Sequence, residues 1–296
     1  MRLDFKKAIE VYPIAWKSFL FFLILFGVLT CDAMPALEQD SLSGPVKVLH
    51  WKQYDDDSPW AVFITRKYDR SGRELEATSG GEHEGEIISS ITYINVYDAD
   101  GQKIKMTEMW QDGTPNIEVL YAYDKQGKKT MEVSYRPDGS FVYLFFYVYD
   151  RHGNWIEEYR YRSNGPHWFS SRNATHRYDD QGRKAETVIL EQDGSKRSQR
   201  YNKKAQIIES KKYDLNGRLE KLMVFTYNGH GDEKETQIFD GQRDLLSHIQ
   251  NHYDYDAYGN WVKRISKRFT KNGEVFEKVN NTDRTITYYV NDNAPS

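Results

Sequence analysis

The sequence predicts an all-β protein: an antiparallel meander of about 16 strands whose sheet curls or rolls over itself. Three observations support this fold class. A Tyr-Asp-x-x-Gly motif recurs along the chain, a second kind of turn signal lies between its copies, and apolar and polar residues alternate in the intervening segments. Because open twisted sheets rarely exceed about ten strands, a sheet of this size is expected to close or fold over itself. No segment after the N-terminal one has a helical pattern.

The Tyr-Asp-x-x-Gly copies predict tight turns that end successive strands. The Asp side chain accepts a backbone hydrogen bond from two residues further on, and Gly supplies the positive φ that closes the turn. Intact copies begin at Tyr68, Tyr97, Tyr123, Tyr149, Tyr178, Tyr213 and Tyr255, with degenerate copies at Tyr201 and Tyr227. The second set of turns is at Asp112-Gly113, Asp138-Gly139, Asn164-Gly165, Asp193-Gly194 and Asn272-Gly273.

The strand segments differ in how their two faces are patterned. In Lys129–Tyr135 apolar residues alternate with polar ones, which indicates one face toward a core and one toward water. The segment Phe141–Tyr149 is apolar on both faces. It is therefore expected to be covered on both sides.

The first 31 residues have the pattern of a signal peptide. Phe19–Leu29 is an apolar run of 11 residues behind a basic segment, whereas a membrane span needs about 20 residues. The placement of Cys31 resembles a bacterial lipoprotein signal, which implies lipidation of Cys31; cleavage after Ala33 and retention as a signal anchor are the alternatives. We expect an extracytoplasmic bacterial protein, either a membrane-anchored lipoprotein or a secreted or periplasmic one. The expected organisation is a signal peptide (1–31), a flexible spacer (32–47), a repeat domain (48–291) and a tail (292–296).

The repeats resemble the YD-repeat, or Rhs-type, family over roughly residues 48–291. The most specific segments are Tyr149–Trp155 and Tyr255–Trp261, both of the form Tyr-Asp-x-x-Gly-Asn-Trp. The resemblance implies a spiralling antiparallel sheet, contact at the cell surface and carbohydrate binding. In large Rhs toxins the sheet forms a shell around a toxin; this chain is far shorter, so a toxin role is not expected.

Composition and motifs exclude several classes of function. The formal charge of −3 gives no electrostatic footprint for nucleic acid, and a single cysteine excludes a disulfide framework or a multi-cysteine metal site. The sequence contains no nucleophile elbow, phosphate loop or His-Glu-x-x-His signature. His83 lies in a glycine-rich polar segment, Gly80–Glu86, predicted to be a flexible surface loop. We therefore expect a non-enzymatic protein without cofactor, catalytic residues or metal.

Five aromatic or histidine side chains are the speculative ligand-binding candidates. Trp155 and Trp261 either stack on sugar rings or pack within the sheet, since both follow a Gly-Asn turn at equivalent repeat positions. His167, Trp168 and Phe169 fall in a lengthened turn, because Tyr161 and Tyr178 are 17 residues apart where 12–14 is usual. This turn either presents its aromatics to a ligand or tucks them against the sheet.

The leading hypothesis is an envelope-tethered, non-enzymatic protein that binds a carbohydrate or another cell-surface component, with a membrane link through the N-terminal lipid or signal anchor. A protein-interaction scaffold, using sheet edges or lengthened loops to bind a surface protein, is the alternative. A glycan-acting enzyme is the second alternative.

Overall fold

The computed structural model describes residues 42–54, 58–162, 169–190, 194–270 and 275–290, and these residues form strands and turns with no helix. The predicted signal peptide with Cys31, most of the spacer and the tail lie outside the described residues. No described segment is a helix long and apolar enough to cross a bilayer. The strands are β1 (Val46–Tyr54), β2 (Trp60–Tyr68), β3 (Glu74–His83), β4 (Glu86–Tyr97), β5 (Lys103–Trp110), β6 (Pro115–Tyr123), β7 (Lys129–Tyr135), β8 (Phe141–Tyr149), β9 (Trp155–Arg162), β10 (Phe169–Tyr178), β11 (Lys184–Leu190), β12 (Lys196–Tyr201), β13 (Ile207–Tyr213), β14 (Leu219–Tyr227), β15 (Glu233–Asp240), β16 (Leu245–Tyr255), β17 (Trp261–Thr270) and β18 (Val275–Tyr288).

The 18 strands form one antiparallel sheet that returns on itself. Each strand pairs with the next in the chain, and the last strand, β18, pairs with β1, so that Leu49 lies opposite Ile286 and Trp51 opposite Arg284. The sheet is therefore nearly closed and barrel-shaped, in agreement with the predicted all-β meander that rolls over. Closure brings together strands that are more than 200 residues apart in the chain, and it removes the long open edges that a flat sheet would expose.

Two turns without the expected motifs raise the strand number from the predicted 16 or so to 18. The strands β3 and β4 are joined by Glu84 and Gly85, whose φ angles are 52° and 86°, and the turn between β15 and β16 has Arg243 at a φ of 70°. Paired positive φ angles give a two-residue hairpin whose twist matches that of its strands.

The prediction of a flexible loop at Gly80–Glu86 was wrong, because β3 continues to His83. Gly80 lies within the strand, where a Cβ atom would be 2.8 Å from the Phe63 ring and 2.4 Å from the Ser89 carbonyl oxygen. Glycine is needed here for the close approach of a neighbouring ring and strand, and not for flexibility. The His83 ring lies 4.3 Å from the Trp60 ring.

The Tyr-Asp-x-x-Gly turns have the hydrogen bonding predicted from their residues. At Asp69 the backbone N–H donates to the Arg73 carbonyl (2.9 Å), and the Gly72 N–H donates to the Asp69 carbonyl (3.0 Å). The Asp69 carboxylate accepts from the backbone N–H groups of Ser71 (2.8 Å) and Arg73 (3.0 Å). Gly72 has a φ of 83°. Each such turn is therefore a tight hairpin connection closed by a left-handed residue.

The turns fall into two groups at the two ends of the sheet. We call the end that carries the turns after β2, β4, β6, β8, β10, β12, β14 and β16 the YD end. The degenerate copies at Tyr201 and Tyr227 belong to the YD end. In the Tyr201 copy, Ala205 takes the place of glycine at a φ of 61°. The intact copy at Tyr213 joins β13 to β14 and lies at the opposite end. The motif thus specifies a turn, but not the end of the sheet at which the turn lies.

Tyrosine hydroxyls at the YD end link several hairpins to the preceding one. Tyr97 donates to the Glu74 carbonyl (2.7 Å), and Tyr123 and Tyr149 donate to the carbonyls of Lys103 and Lys129 (2.8 Å each). In every case the acceptor lies two residues after the turn glycine. The same contact recurs as Tyr227 to Ile207 and Tyr253 to Glu233. Across the closure, Tyr289 donates instead to the carbonyl of Tyr68, which lies just before its turn. These hydrogen bonds satisfy carbonyl groups at strand ends and fix the spacing of the hairpins.

The two faces of the sheet differ in exposure. Along β8, Phe145 is 5% exposed and its neighbour Phe146 is 38% exposed. On the same face as Phe145, Val119 of β6 and Ser134 of β7 are 1% and 0% exposed. We call the face that carries Phe145 the inner face and the other the outer face. The inner face also carries ion pairs, such as the one in which Lys129 Nζ lies 2.7 Å from the Glu132 carboxylate. The predicted covering of Phe141–Tyr149 thus holds for one of its faces.

Candidate ligand-binding surface

The structure does not bring the five predicted ligand-binding residues together. Trp155 is the first residue of β9 and Trp261 the first of β17, both directly after YD-end turns but on different parts of the ring. Phe169 begins β10 at the opposite end. The side chain of Phe169 and the whole of His167 and Trp168 lie outside what the structure describes, so their predicted role stays a prediction.

Both tryptophans have packed arrangements. Trp261 is 6% exposed, with the Arg284 guanidinium 3.4 Å from the centroid of its ring and the Tyr253 ring at 5.9 Å. Trp155 is half-buried; its indole N–H donates to the Glu157 carbonyl (2.9 Å) and its ring meets the edge of Tyr147 at 5.5 Å. The packing alternative therefore describes these two side chains better than presentation to a sugar.

A continuous apolar surface lies instead on the outer face of β6–β9. Two cross-strand rows of outer-face residues form it, because residues opposite each other in a ladder share a face. We call this surface the outer patch; its rows are Leu120, Val133, Leu144 and Tyr161, and Ala122, Met131, Phe146 and Tyr159, with Val148 beside them. Leu120, Phe146, Val148 and Tyr159 are each 36–41% exposed.

The outer patch has polar groups at its margins. The Tyr159 hydroxyl donates to the Glu157 carboxylate (2.7 Å), and Glu157 lies opposite Val148 in the ladder. This hydrogen bond, together with the negative charge of Glu157, raises the pKa of Tyr159. On the other side, Lys105 and Glu118 form an ion pair. A flat apolar centre is thus bordered by groups that can accept and donate hydrogen bonds.

The dimensions of the outer patch follow from strand geometry. Four strands spaced about 4.8 Å apart span about 14 Å, and the five residues from Leu144 to Val148 rise about 14 Å along β8. Exposed planar rings on such a surface can cover the CH face of a sugar, while a neighbouring carboxylate accepts hydrogen bonds from its hydroxyls. The arrangement is chemically suited to a small, flat ligand with a polar rim.

The outer patch was not predicted from the sequence, although a signal for it was present. Phe141–Tyr149 is apolar on both faces, and closure of the sheet buries only the face that carries Phe145. The other face remains apolar and exposed. A run that is apolar on both faces therefore marked an exposed apolar surface as well as a core strand.

The most strongly perturbed ionisable groups lie away from the outer patch, at the YD end. Burial and the hydrogen bond to Asp150 raise the pKa of Tyr178 to about 12. The pKa of Asp150 falls to about 2: its desolvation opposes the charge, but hydrogen bonds from the Tyr178 hydroxyl and the backbone of Asn154 outweigh it. These shifts have their causes in turn packing. Within the described residues, no group of three or more His, Cys, Asp or Glu side chains could hold a metal ion.

A family model matches a short part of the chain. The model of a family described as a protein of unknown function (DUF2963) matches residues 89–133, which run from β4 to β7. No curated protein matches the chain.

Several solved structures resemble the chain at low identity. A porin-like protein from Bacteroides uniformis is 11% identical, with a TM-score of 0.47 over 83% of this chain and 98% of that one. A porin-like protein from Bacteroides vulgatus is also 11% identical, with a TM-score of 0.26 over 82% and 99% of the two chains. The TcdB2-TccC3-Cdc42 structure is 13% identical, with a TM-score of 0.30 over 75% of this chain and 14% of that chain. At these identities and scores, the similarities assign no activity to the chain.

Proposed function

We propose that this chain is a non-enzymatic, envelope-tethered YD-repeat protein that binds a carbohydrate of the cell surface through the outer patch. The repeated Tyr-Asp-x-x-Gly turns support the assignment to the YD-repeat family, and the signal-like N-terminal segment with Cys31 supports the tether. The outer patch supplies the binding surface.

One observation carries the proposed ligand class. Phe146 and Tyr159 lie directly opposite each other on β8 and β9, each 38% exposed, and the Glu157 carboxylate accepts the Tyr159 hydroxyl. Aromatic rings with a polar handle bind ligands that are apolar on one face and hydroxylated at the edge. Sugars have this chemistry.

The size of the outer patch favours a glycan over a protein. Its area of about 200 Å² is well below the roughly 800 Å² per partner of a standard protein–protein interface. A segment of a few sugar rings would cover it, whereas a folded protein partner would need contacts well beyond it.

The direct test is binding of cell-wall and exopolysaccharide fragments, measured by calorimetry or on a glycan array, with substitutions in the outer patch. Tyr159→Ala is expected to weaken binding about tenfold, equivalent to about 1.4 kcal/mol, by removing the stacking ring. Tyr159→Phe keeps the ring and should lose less. Trp110→Ala, at an exposed aromatic outside the patch, is the matched control and should bind normally.

Two outcomes would contradict this proposal. A flat response of the wild-type protein across the fragments would exclude the carbohydrate class. Equal loss in Tyr159→Ala and Trp110→Ala would show that the outer patch is not the site.

The proposed tether has its own test. Cys31→Ser should move the protein from the membrane fraction to the soluble fraction, because one lipid-modified cysteine would be the only attachment. If the variant stays in the membrane fraction, lipidation of Cys31 is wrong and the N-terminal segment acts as a signal anchor.

A further inference from the structure

One strand of the ring is longer than its neighbour and leaves part of its edge unpaired. Within the described residues, β4 pairs with β3 from Glu86 onward, but its pairing with β5 begins only at Ile91, opposite Trp110. β5 ends at Trp110, where the chain turns into β6. The five residues Glu86–Ser90 therefore form a strand with a partner on one side only.

This segment exposes apolar side chains beside its open edge. Ile87 and Ile88 are 50% and 45% exposed, and Trp110, the last residue of β5, is 47% exposed. Both isoleucines reach solvent because the register shifts by one residue opposite Glu82, which interrupts the usual alternation. Regular pairing with β3 resumes at Ser89. We call Glu86–Ser90 together with Trp110 the step.

The surroundings of the step are acidic. Glu84, Glu86 and Asp112 are exposed in the two adjoining turns. The chain has no lysine or arginine between positions 74 and 102, nor between 106 and 124. Hydrogen bonds from the Thr114 hydroxyl and backbone N–H lower the pKa of Asp112, so its carboxylate is ionised at neutral pH. Neither β4 nor the two adjoining turns therefore contributes a basic side chain that would offset this negative charge.

We propose that the step binds an extended, basic peptide segment of a partner protein, which adds to β4 as a further strand. Unpaired main-chain N–H and C=O groups on β4 would pair with the peptide backbone, as in other cases of strand addition. An apolar side chain of the peptide would rest on Trp110 and Ile88, and its basic side chains would face the three carboxylates. A second copy of this chain would bring the same acidic step, so like charges would oppose pairing between copies.

This site is separate from the outer patch and gives the scaffold alternative a specific location. Ring closure pairs β1 with β18, but it does not cover the part of β4 that extends past β5. The two sites can therefore be tested independently on the same protein.

The test uses fluorescein-labelled synthetic peptides and fluorescence anisotropy. An eight-residue peptide of alternating lysine and valine is expected to bind. The same peptide with N-methylated backbone amides should bind at least about tenfold more weakly, because it cannot form a ladder. A peptide with glutamate in place of lysine should not bind measurably.

Protein variants locate the binding. Trp110→Ala and Glu86→Lys should each weaken binding of the lysine–valine peptide about tenfold. Glu86→Lys should also reduce the salt dependence of that binding. Asp180→Lys, at an exposed turn of the YD end, is the matched charge control and should bind like the wild type. Circular dichroism of each variant confirms that the fold is kept, and Tyr159→Ala should bind the peptide normally.

Three outcomes would overturn the proposal. Absence of binding by the lysine–valine peptide excludes a basic strand as the partner. Equal affinity for the N-methylated peptide shows electrostatic attraction without strand addition. Equal effects of Glu86→Lys and Asp180→Lys show that the step is not the site, and none of these results changes the expected loss of glycan binding in Tyr159→Ala.

Discussion

The tyrosine hydroxyls of the YD end make a measurable contribution to stability that Tyr149→Phe should expose. Tyr149 donates to the Lys129 carbonyl at 2.8 Å, and the substitution removes this hydrogen bond while keeping the ring. A hydrogen bond of this kind contributes about 0.5–1.5 kcal/mol net. Lys129 is half-buried, so water can replace the lost donor in part. The expected loss is about 1 kcal/mol.

Combining equivalent substitutions should multiply the effect. Tyr97, Tyr123 and Tyr149 each bond a different carbonyl on a different hairpin, so their contributions should nearly add. The triple Phe variant is expected to lose about 3 kcal/mol. That is a large fraction of the roughly 5–15 kcal/mol by which a domain is stable.

The chain contains a matched control in Tyr213. It begins an intact Tyr-Asp-x-x-Gly copy, but it lies at the opposite end of the sheet, where its ring faces the Lys196 ammonium at 4.7 Å. Tyr213→Phe keeps that ring contact and should change stability by less than about 0.5 kcal/mol. Urea unfolding of the wild type and the variants measures the differences, and each kcal/mol should move Tm by about 2–4 °C.

The outcome can refute this explanation of the motif. If Tyr149→Phe and Tyr213→Phe lose equal stability, the ring and not the carbonyl contact accounts for tyrosine at this position. A triple variant that loses less than about 1 kcal/mol would show that water replaces the hydroxyls without cost.

Two further predictions concern pH and turn conformation. Burial raises the pKa of five YD-end tyrosines from 10.0 to about 12, namely Tyr97, Tyr178, Tyr227, Tyr255 and Tyr288. Their ionisation therefore leaves stability unchanged below pH 10 and reduces it as the pH rises from 10 to 12. Tm should fall across this range, and a flat profile would contradict the assigned burial. At the left-handed turn position, Ala205→Gly should stabilise and Gly127→Ala destabilise, each by about 0.5–1 kcal/mol, since their φ angles are 61° and 78°; urea unfolding that gives the same sign for both would contradict the role of φ.

Much of the local structure was predictable from short stretches of sequence. The turn at Asp69 forms because an Asp carboxylate and a left-handed Gly72 satisfy the backbone within five residues, and no distant contact is needed. The same local chemistry predicted the antiparallel meander. Local turn chemistry did not predict the turns at Glu84-Gly85 and Arg243, because Glu84 and Arg243 adopt positive φ angles although they are not glycine. The predicted strand number was low for this reason.

The candidate sites depended on contacts that the sequence does not show. Trp155 and Trp261 were candidates as repeated aromatics, and the structure adds that side chains of adjoining strands, including Tyr147 and Arg284, pack against them. The outer patch needed knowledge of which face of Phe141–Tyr149 the closed sheet buries. The step could be identified only from the relative lengths of β4 and β5 in the ladder.

The sequence by itself determined the antiparallel meander of hairpins, because hydrogen bonds within a turn and alternation along a strand act over a few residues. Only the tertiary structure decided that β1 pairs with β18, that the Tyr213 turn lies away from the YD end, and that tyrosines such as Tyr149 bond the preceding hairpin. These features depend on how twist accumulates over 18 strands and on pairing between residues far apart in the chain. Closure of the ring in turn determines which apolar face is buried and which remains available to a ligand.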